Sequence, residues 1–380
     1  MRVQTFSRAQ IQEEFTLRFQ SLAANDKRGL KKEFDDLDEV GQNLPSRAGT
    51  TEANQNKNRY PYIVPYDHCR VRLSVQNQNP FSDYINANYV PGGGTERDFI
   101  CTQGPLPHTV ADFWRMVWEQ NVQIIVMVTA LRHKDIVLCE NYWPFEPSIV
   151  QHGRIQVTTV KRQQGPDCVI TTMKLRQRDC PAADRTVTHY YYSSWPDMGV
   201  PKDPASLCAF TEHVRLHLET LPRLGPSVVH CSAGVGRSGT FVALLWLMQL
   251  CVRGIRPDVR AAVEDLRLHR MWMVQKLQQY VFVYQCLLHW LNARMAGAAW
   301  QHQSPILNTI HPKTQPQNSA SKGNKVRRKH HQHRKSTSDE QFTSTKHFLH
   351  PSNLLRKLLP SSTLPEQHSK YSPTTTLPLR

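Results

Sequence analysis

Near the start of the chain, apolar positions recur with the period of a helix. In residues 8–23, Ile11, Phe15, Phe19 and Leu22 are apolar and stand at helical spacing. This spacing places them on one face and predicts an amphipathic helix. Charged and polar residues follow to about residue 56, where we expect mostly loop. From about residue 58 to residue 291 apolar positions are dense, as in a globular domain.

Within that globular stretch, short apolar runs predict strands and longer runs predict helices. The run VQIIVMVT at 122–129 is short and β-branched, which indicates a buried strand. A similar strand is predicted at 226–231, and it ends at a cysteine. Helices are predicted at 112–120, 240–252 and 279–291.

The composition changes near residue 297, where Pro, Ser, Gln, His and Lys replace apolar residues. The net charge is +16, and residues 301–380 hold 13 Lys and Arg against 3 Asp and Glu. We predict an N-terminal segment 1–29, a folded domain 30–296 and a disordered basic tail 297–380. We interpret the tail as solvated. Alternatively, the tail binds nucleic acid or an acidic membrane, or acts as a nuclear signal.

Nine cysteines are scattered without a C-x-x-C pair or a metal-ligand spacing. This pattern favours a reduced, intracellular chain, and neither a metal site nor a cofactor is expected. The chain starts without an apolar signal-peptide core, and no stretch approaches the length of a membrane span. We therefore predict a cytoplasmic location, which includes the cytoplasmic part of a membrane receptor.

The segment HCSAGVGRSG at 230–239 joins the second predicted strand to a predicted helix. Such a loop directs backbone N–H groups and a helix N-terminus at one point, which favours an anion. A Walker loop would need Lys where Arg237 stands. A dinucleotide fingerprint would need an acidic residue about twenty residues later and gives no reason for a cysteine. Both nucleotide interpretations fail.

Cys231 and Arg237 remain as the chemical groups of this segment. A thiol beneath amide dipoles should lose its proton readily, and a guanidinium fits a phosphate dianion with two donors. The alternative is a buried cysteine in a tight turn. Asp197, in WPDMGVP at 195–201, lies in an expected exposed mobile loop, where a carboxylic acid would protonate a leaving group. Its alternative is a turn residue.

The sequence resembles the catalytic domain of phosphotyrosine-specific protein tyrosine phosphatases over roughly residues 30–295. Within that family it is most similar to the receptor-type group with a single catalytic domain. The resemblance implies an α/β fold with a highly twisted mixed sheet flanked by helices. The motifs, in chain order, are KNRY (57–60), PYDHCRV (65–71), DYINANYV (83–90), TQGPL (102–106), FWRMVWEQ (113–120), YWP (142–144), WPDMGVP (195–201), VHCSAGVGRSGTF (229–241) and MVQKLQQY (273–280).

The resemblance also implies roles in hydrolysing phosphotyrosine in proteins through a cysteinyl-phosphate. Cys231 would be the nucleophile, Asp197 the general acid and base, and Arg237 the phosphate clamp. Ser238 would assist release of phosphate, while Gln275 and Gln279 would position water. The substrate-binding residues would be Tyr60, Asp197, Ser232, Ala233, Gly234, Val235, Gly236, Arg237 and Gln275.

Three departures from the family pattern bear on activity. Tyr62 stands where Asp or Asn usually holds the substrate backbone. His133 and Leu138 stand where many members have Glu and Lys, and Lys276 and Gln278 replace other common residues. Tyr62, His133 and Leu138 support an alternative, a phosphotyrosine-binding module with weak or absent turnover. A dual-specificity or lipid phosphatase is a further alternative, which KNRY disfavours.

Two further expectations concern basic residues. His230 should hold the loop by a hydrogen bond rather than act as a base. Arg267 and Arg270 would either shape a secondary basic site near the pocket or serve the structure.

Overall fold

The structure is a computed structural model, which describes residues 5–178, 184–196 and 199–296. The predicted tail and Asp197 lie outside the described residues. Within them, the α-helices are α1 (Arg8–Asp35), α2 (Arg47–Thr50), α3 (Glu52–Gln55), α4 (Val110–Glu119), α5 (Pro204–Thr220), α6 (Gly236–Val252), α7 (Val259–His269) and α8 (Leu277–Met295).

A mixed sheet organises the fold, in the order β1-β2-β3-β11-β4-β10-β9-β8-β7, while β5 and β6 form a separate hairpin. Its centre is parallel, since β11 runs parallel to both β3 and β4, and β10 runs parallel to β4. The described strands are β1 (Arg70–Arg72), β2 (Tyr84–Val90), β3 (Phe99–Thr102), β4 (Ile124–Met127), β5 (Arg132–His133), β6 (Ile136–Val137), β7 (Ile149–His152), β8 (Ile155–Gln164), β9 (Cys168–Gln177), β10 (Arg185–Tyr192) and β11 (Ser227–His230).

The central strand β4 shows why this sheet is covered on both faces. Successive strand residues point to opposite faces, so a strand that is apolar throughout needs cover on both. Ile124 and Val126 pack in the apolar cluster that includes α5, α6 and α8. Ile125 and Met127 pack in the cluster that includes α4. The predicted mixed sheet flanked by helices is confirmed.

The N-terminal helix extends further than its sequence pattern predicts. The amphipathic part is present, but α1 continues to Asp35 after four residues with non-helical backbone, 24–27. Phe15 stacks on Tyr284 and Phe34 contacts Tyr280, so both halves pack against α8. The expectation of mostly loop up to residue 56 is wrong here, because burial of Leu30 and Phe34 stabilises a second helical half. The predicted boundary between segment 1–29 and domain 30–296 lies within α1. The division into these two parts stays a prediction.

The other predicted elements are present with shifted ends. The strand predicted at 122–129 is the shorter β4, and the strand predicted at 226–231 is β11. The predicted helix 240–252 begins four residues earlier, at Gly236, directly after the cysteine-containing segment. Among the described residues, no helix is both long and apolar enough to cross a membrane.

Candidate active site

The loop of residues 231–235, called the cysteine loop below, joins β11 to α6. Cys231 follows the last residue of β11 and is 5% exposed. Because β11 lies between β3 and β4, the loop leaves the carboxyl edge of the parallel centre of the sheet. Ligands bind at this edge in α/β folds, and here the N-terminus of α6 adds its positive dipole. The cysteine loop therefore lies where the sequence analysis predicts an anion site with a thiol at its base.

Gly234 makes the tight turn of the cysteine loop possible. Its φ is +74°, a left-handed conformation that side chains rarely adopt. A Cβ atom on this residue would lie 2.1 Å from the carbonyl oxygen of Thr102 in β3. Any other residue would therefore push the loop away from the sheet.

The carbonyl groups of the cysteine loop are bonded from outside the loop. Gly104 N–H donates to Ser232 O, and Val274 N–H donates to Val235 O. The carbonyls of Ala233 and Gly234 both accept from the guanidinium of Arg270, at 3.0 and 2.8 Å. In a trans peptide the N–H points opposite to the C=O. The N–H groups of residues 233–236 therefore face the other side of their peptide planes, as the anion site requires.

The sulfur and the guanidinium of the predicted pair lie in different surroundings. Gly234 N–H donates to Cys231 Sγ at 3.2 Å, so an amide of the loop itself contacts the sulfur. The Arg237 guanidinium donates to Thr129 Oγ1 and to the Pro196 carbonyl, both at 3.2 Å. Because Pro196 directly precedes Asp197 in the sequence, the Arg237 guanidinium contacts the residue before the predicted acid.

Tyr60 stands beside the cysteine loop as the resemblance implies. Its hydroxyl is 2.7 Å from Ser232 Oγ, and burial raises the pKa of this phenol. Its neighbour Arg59 donates to the carbonyls of Gly104, Pro105 and Val137. These three bonds to backbone anchor the chain at Arg59, directly before Tyr60.

The two predicted glutamines approach the start of α6. A Cβ atom on Gly236 would lie 3.0 Å from the Gln279 amide and 3.4 Å from Gln275 Cβ. Gln279 Oε1 accepts from Lys276 N–H, which caps the start of α8. A Cβ atom on Gly239 would lie 2.4 Å from Val274 N, so glycine at this position permits the approach.

Ser238 is fully buried in the first turn of α6. Its hydroxyl oxygen has no hydrogen-bond partner within the part of the chain that the structure describes. A buried hydroxyl without a partner is unfavourable, so such a group often serves a ligand or a reaction intermediate.

His230 lies beneath the cysteine loop in a chain of buried polar groups. Its Nδ1 contacts the Cys231 carbonyl at 3.3 Å, and its Nε2 lies 2.6 Å from the Tyr142 hydroxyl. A carbonyl only accepts, so Nδ1 carries the proton and Nε2 accepts from Tyr142. His189 Nε2, 2.7 Å away, then donates to the same hydroxyl. Both imidazoles are neutral, and burial lowers the pKa of His230 to about 4. His230 therefore holds the loop, as expected.

Arg267 and Arg270 form no exposed basic site. Arg267 donates to the carbonyls of Leu37, Met273 and Val274 and is buried. Arg270 is fully buried and supports the cysteine loop. Of the two roles expected for these arginines, the structural one holds.

The partners of Arg270 were missed by reasoning from the sequence. Asn86 Oδ1 and Asn88 Oδ1 accept from its terminal nitrogens at 2.9 and 3.0 Å. The signal was present in YINANYV, because polar residues two apart on a strand share one face. Such a pair on a buried strand indicates a buried polar partner.

The positions that depart from the family pattern are distributed around the site. Tyr62 is 76% exposed, in the turn after Tyr60. His133 belongs to β5, and Leu138 follows β6. The carbonyl of Val137, in the same hairpin, accepts from Arg59.

Comparisons with known proteins identify the family of this chain. A family model described as Protein-tyrosine phosphatase matches residues 54–289. Receptor-type tyrosine-protein phosphatase V of Rattus norvegicus is 42% identical over 275 residues, which cover 72% of this chain and 16% of the relative. Receptor-type tyrosine-protein phosphatase eta of Mus musculus is 40% identical over 282 residues, 74% of this chain and 22% of the relative.

A third relative, Receptor-type tyrosine-protein phosphatase H of Homo sapiens, is 40% identical over 265 residues, 70% of this chain and 24% of the relative. The chain thus spans less than a quarter of the length of these relatives. The family model nevertheless covers more than half of the chain, and its matched residues include the cysteine loop, Tyr60 and both glutamines. The chain belongs to the protein-tyrosine phosphatase family.

Proposed function

We propose that this chain hydrolyses phosphotyrosine in proteins through a cysteinyl-phosphate intermediate. One observation carries the proposal: Cys231 Sγ accepts a hydrogen bond from an amide of its own loop. The loop ends at the N-terminus of α6, and Arg237 lies in the first turn of that helix. Amide and helix dipoles stabilise negative charge, whether on an attacking nucleophile or on the oxygens of a bound phosphoryl group. The same groups thus serve the nucleophile and the substrate.

In the first step the Cys231 thiolate attacks phosphorus. The S–P bond forms while the bond between phosphorus and the tyrosine oxygen breaks. Arg237 and the loop amides stabilise the negative charge on the phosphoryl oxygens. Asp197 gives its proton to the leaving phenolate, which departs as neutral tyrosine.

In the second step water attacks the phosphorus of the cysteinyl-phosphate. Asp197, now a carboxylate, accepts the proton of the water, and Gln275 and Gln279 orient it. The S–P bond breaks, and the electron pair returns to the Cys231 sulfur. The buried Ser238 hydroxyl, which lacks a partner in the described part of the chain, donates to that sulfur as it regains charge.

The Tyr60 ring supports selectivity for phosphotyrosine. The Tyr60 ring, whose hydroxyl lies 2.7 Å from Ser232 Oγ, walls the pocket and makes it deep. A phosphoserine side chain is shorter, so its phosphate would not reach Cys231. Equal turnover of phosphoserine and phosphotyrosine peptides would instead support a dual-specificity enzyme.

The alternative of a binding module rests on Tyr62, His133 and Leu138. None of them supplies the thiol, the guanidinium or the proton that hydrolysis needs. The relatives are named as phosphatases, which supports turnover.

Cys231→Ser tests the reaction, with Cys251→Ser as its matched control. Both cysteines are 5% exposed, but Cys251 lies at the far end of α6. In the full chain with EDTA present, the wild type and C251S should hydrolyse a phosphotyrosyl peptide, while C231S should not. A rapidly quenched wild-type reaction should contain a phosphate adduct on Cys231. Turnover by C231S at the wild-type rate would refute the proposal.

The substrates we propose are phosphotyrosine-containing proteins, at a cytoplasmic location. Free cysteines and the receptor-type names of the relatives support that location. A nucleic-acid or acidic-membrane contact of the basic tail stays a prediction. If it exists, binding should fall steeply with salt and vanish when residues 301–380 are deleted.

A further inference from the structure

The Arg237 guanidinium is held from the side of the central sheet by a threonine hydroxyl. Its Nη1 donates to Thr129 Oγ1, and its Nη2 donates to the Pro196 carbonyl. Because a guanidinium is planar, bonds at both terminal nitrogens fix its rotation as well as its position. The Trp195 ring, 6.0 Å from the guanidinium carbon, adds a third neighbour.

Thr129 is the acceptor that the sheet itself places. It lies two residues after β4 and is 1% exposed. Val128 N–H donates to His230 O at 3.0 Å, which ties the end of β4 to the end of β11. The Thr129 hydroxyl donates to the Ala130 carbonyl at 3.1 Å, so its lone pairs remain to accept from Arg237. The acceptor is therefore fixed in both place and direction.

We propose that Thr129 is a positioning residue, which aims Arg237 at the phosphoryl group in the cysteine loop. This inference rests on the proposed function, in which Arg237 contacts the phosphoryl oxygens. The Thr129 hydroxyl is a neutral acceptor, so this bond orients the guanidinium without itself forming an ion pair with it. Without Thr129 the guanidinium would keep its charge but lose the bond at Nη1.

The test compares Thr129→Val, which keeps the shape and removes the acceptor, with Thr129→Ser, which keeps the acceptor. In the full chain, T129V should lower kcat/KM for a phosphotyrosyl peptide by about tenfold or more. It should raise the inhibition constant of inorganic phosphate by a similar factor. T129S should recover most of both, because a serine hydroxyl accepts the same bond.

Thr159→Val is the matched control. Thr159 is a buried threonine of β8, and its hydroxyl donates to the Pro144 carbonyl. T159V should lower the thermal stability without changing the phosphate inhibition constant, as expected of a purely structural threonine.

If T129V does not fold, Thr129→Ala removes the same acceptor with a smaller side chain. A wild-type phosphate constant in folded T129V or T129A, with turnover intact, overturns the inference. So does a T129S variant that loses as much as T129V. If C231S turned over the phosphotyrosyl peptide at the wild-type rate, the proposed function would be overturned instead.

Discussion

Two arginines lie next to the cysteine loop, and their surroundings differ. Behind the loop, Arg270 is fully buried and donates to two loop carbonyls and to two asparagine side chains. In front, Arg237 is half-buried and donates to a threonine hydroxyl and a proline carbonyl. One guanidinium is a fixed part of the interior, and the other faces the site.

The difference follows from where each charge has to act. Burial lowers the pKa of Arg270, because removal from water disfavours its charged form. Four oxygen acceptors offset that cost, so Arg270 supports the fold as long as all four stay bonded. Arg237 is only half-buried, and in the proposed function it binds the phosphoryl group. In that function the back of the loop serves stability and the front serves chemistry.

Matched Arg→Lys variants should give the largest difference between front and back, with the front variant losing activity and the back variant losing stability. Arg237→Lys loses the planar two-donor fork, and kcat/KM should fall by about 10²–10³-fold. Its free energy of unfolding should change by about 1 kcal/mol or less, since the position is half-buried. Phosphopeptide kinetics and urea unfolding of the full chain measure the two quantities.

Arg270→Lys should behave in the opposite way. A single ammonium group does not reach all four acceptors, and buried acceptors without donors should lower the free energy of unfolding by about 3 kcal/mol or more. If R237K destabilised the chain as much as R270K, the division between back and front would be wrong.

Acid should weaken the back of the loop through His230. Its pKa is about 4 in the folded chain, against about 6.5 for an ordinary histidine. Below pH 6.5 the unfolded chain binds a proton that the native chain excludes, so stability is lost as the pH falls toward 4. From pH 6.5 to 5.0, His230 alone should lower the free energy of unfolding by about 1.6 kcal/mol.

Urea unfolding at several pH values measures this slope, and His230→Gln should reduce it. Burial likewise lowers the pKa of His189, across the Tyr142 hydroxyl, so H230Q should leave part of the slope in place. If stability depended on pH equally in wild type and H230Q, the pKa of His230 would be the same in the folded and unfolded chains, which would contradict this prediction.

The smallest expected effect is at the rim of the front side, at Tyr62. Its side chain is 76% exposed, so Tyr62→Asn should not alter stability measurably. An asparagine offers hydrogen bonds to a peptide backbone, and KM for a phosphotyrosyl peptide should fall by a few-fold. Free phosphotyrosine has no flanking peptide and serves as the control substrate. Equal changes for both substrates would contradict a peptide-binding role.

The front of the site was largely predictable from the sequence. Cys231, Arg237 and Gly234 lie within seven consecutive residues, and the strand and helix that bracket them have clear apolar patterns. Local spacing alone therefore predicts an anion site. The long N-terminal helix was predicted only in part, because its second half depends on packing against α8.

The back of the site was not predictable in the same way. Arg270 lies 36 residues from the Gly234 carbonyl it bonds, and Asn88 lies 182 residues from Arg270. The same holds for one partner at the front, because Thr129 lies 108 residues from Arg237. A local sequence pattern does not predict such partners, because the strand order of the sheet brings them together.

By itself, the sequence determined the chemical groups and the turn that presents them, because a glycine-containing loop between a strand and a helix is a local property of the chain. Only the tertiary structure decided which groups hold them. Buried carbonyls and guanidinium groups must find partners wherever the fold brings them together. The parallel centre of the sheet, with β11 between β3 and β4, places those partners around Cys231.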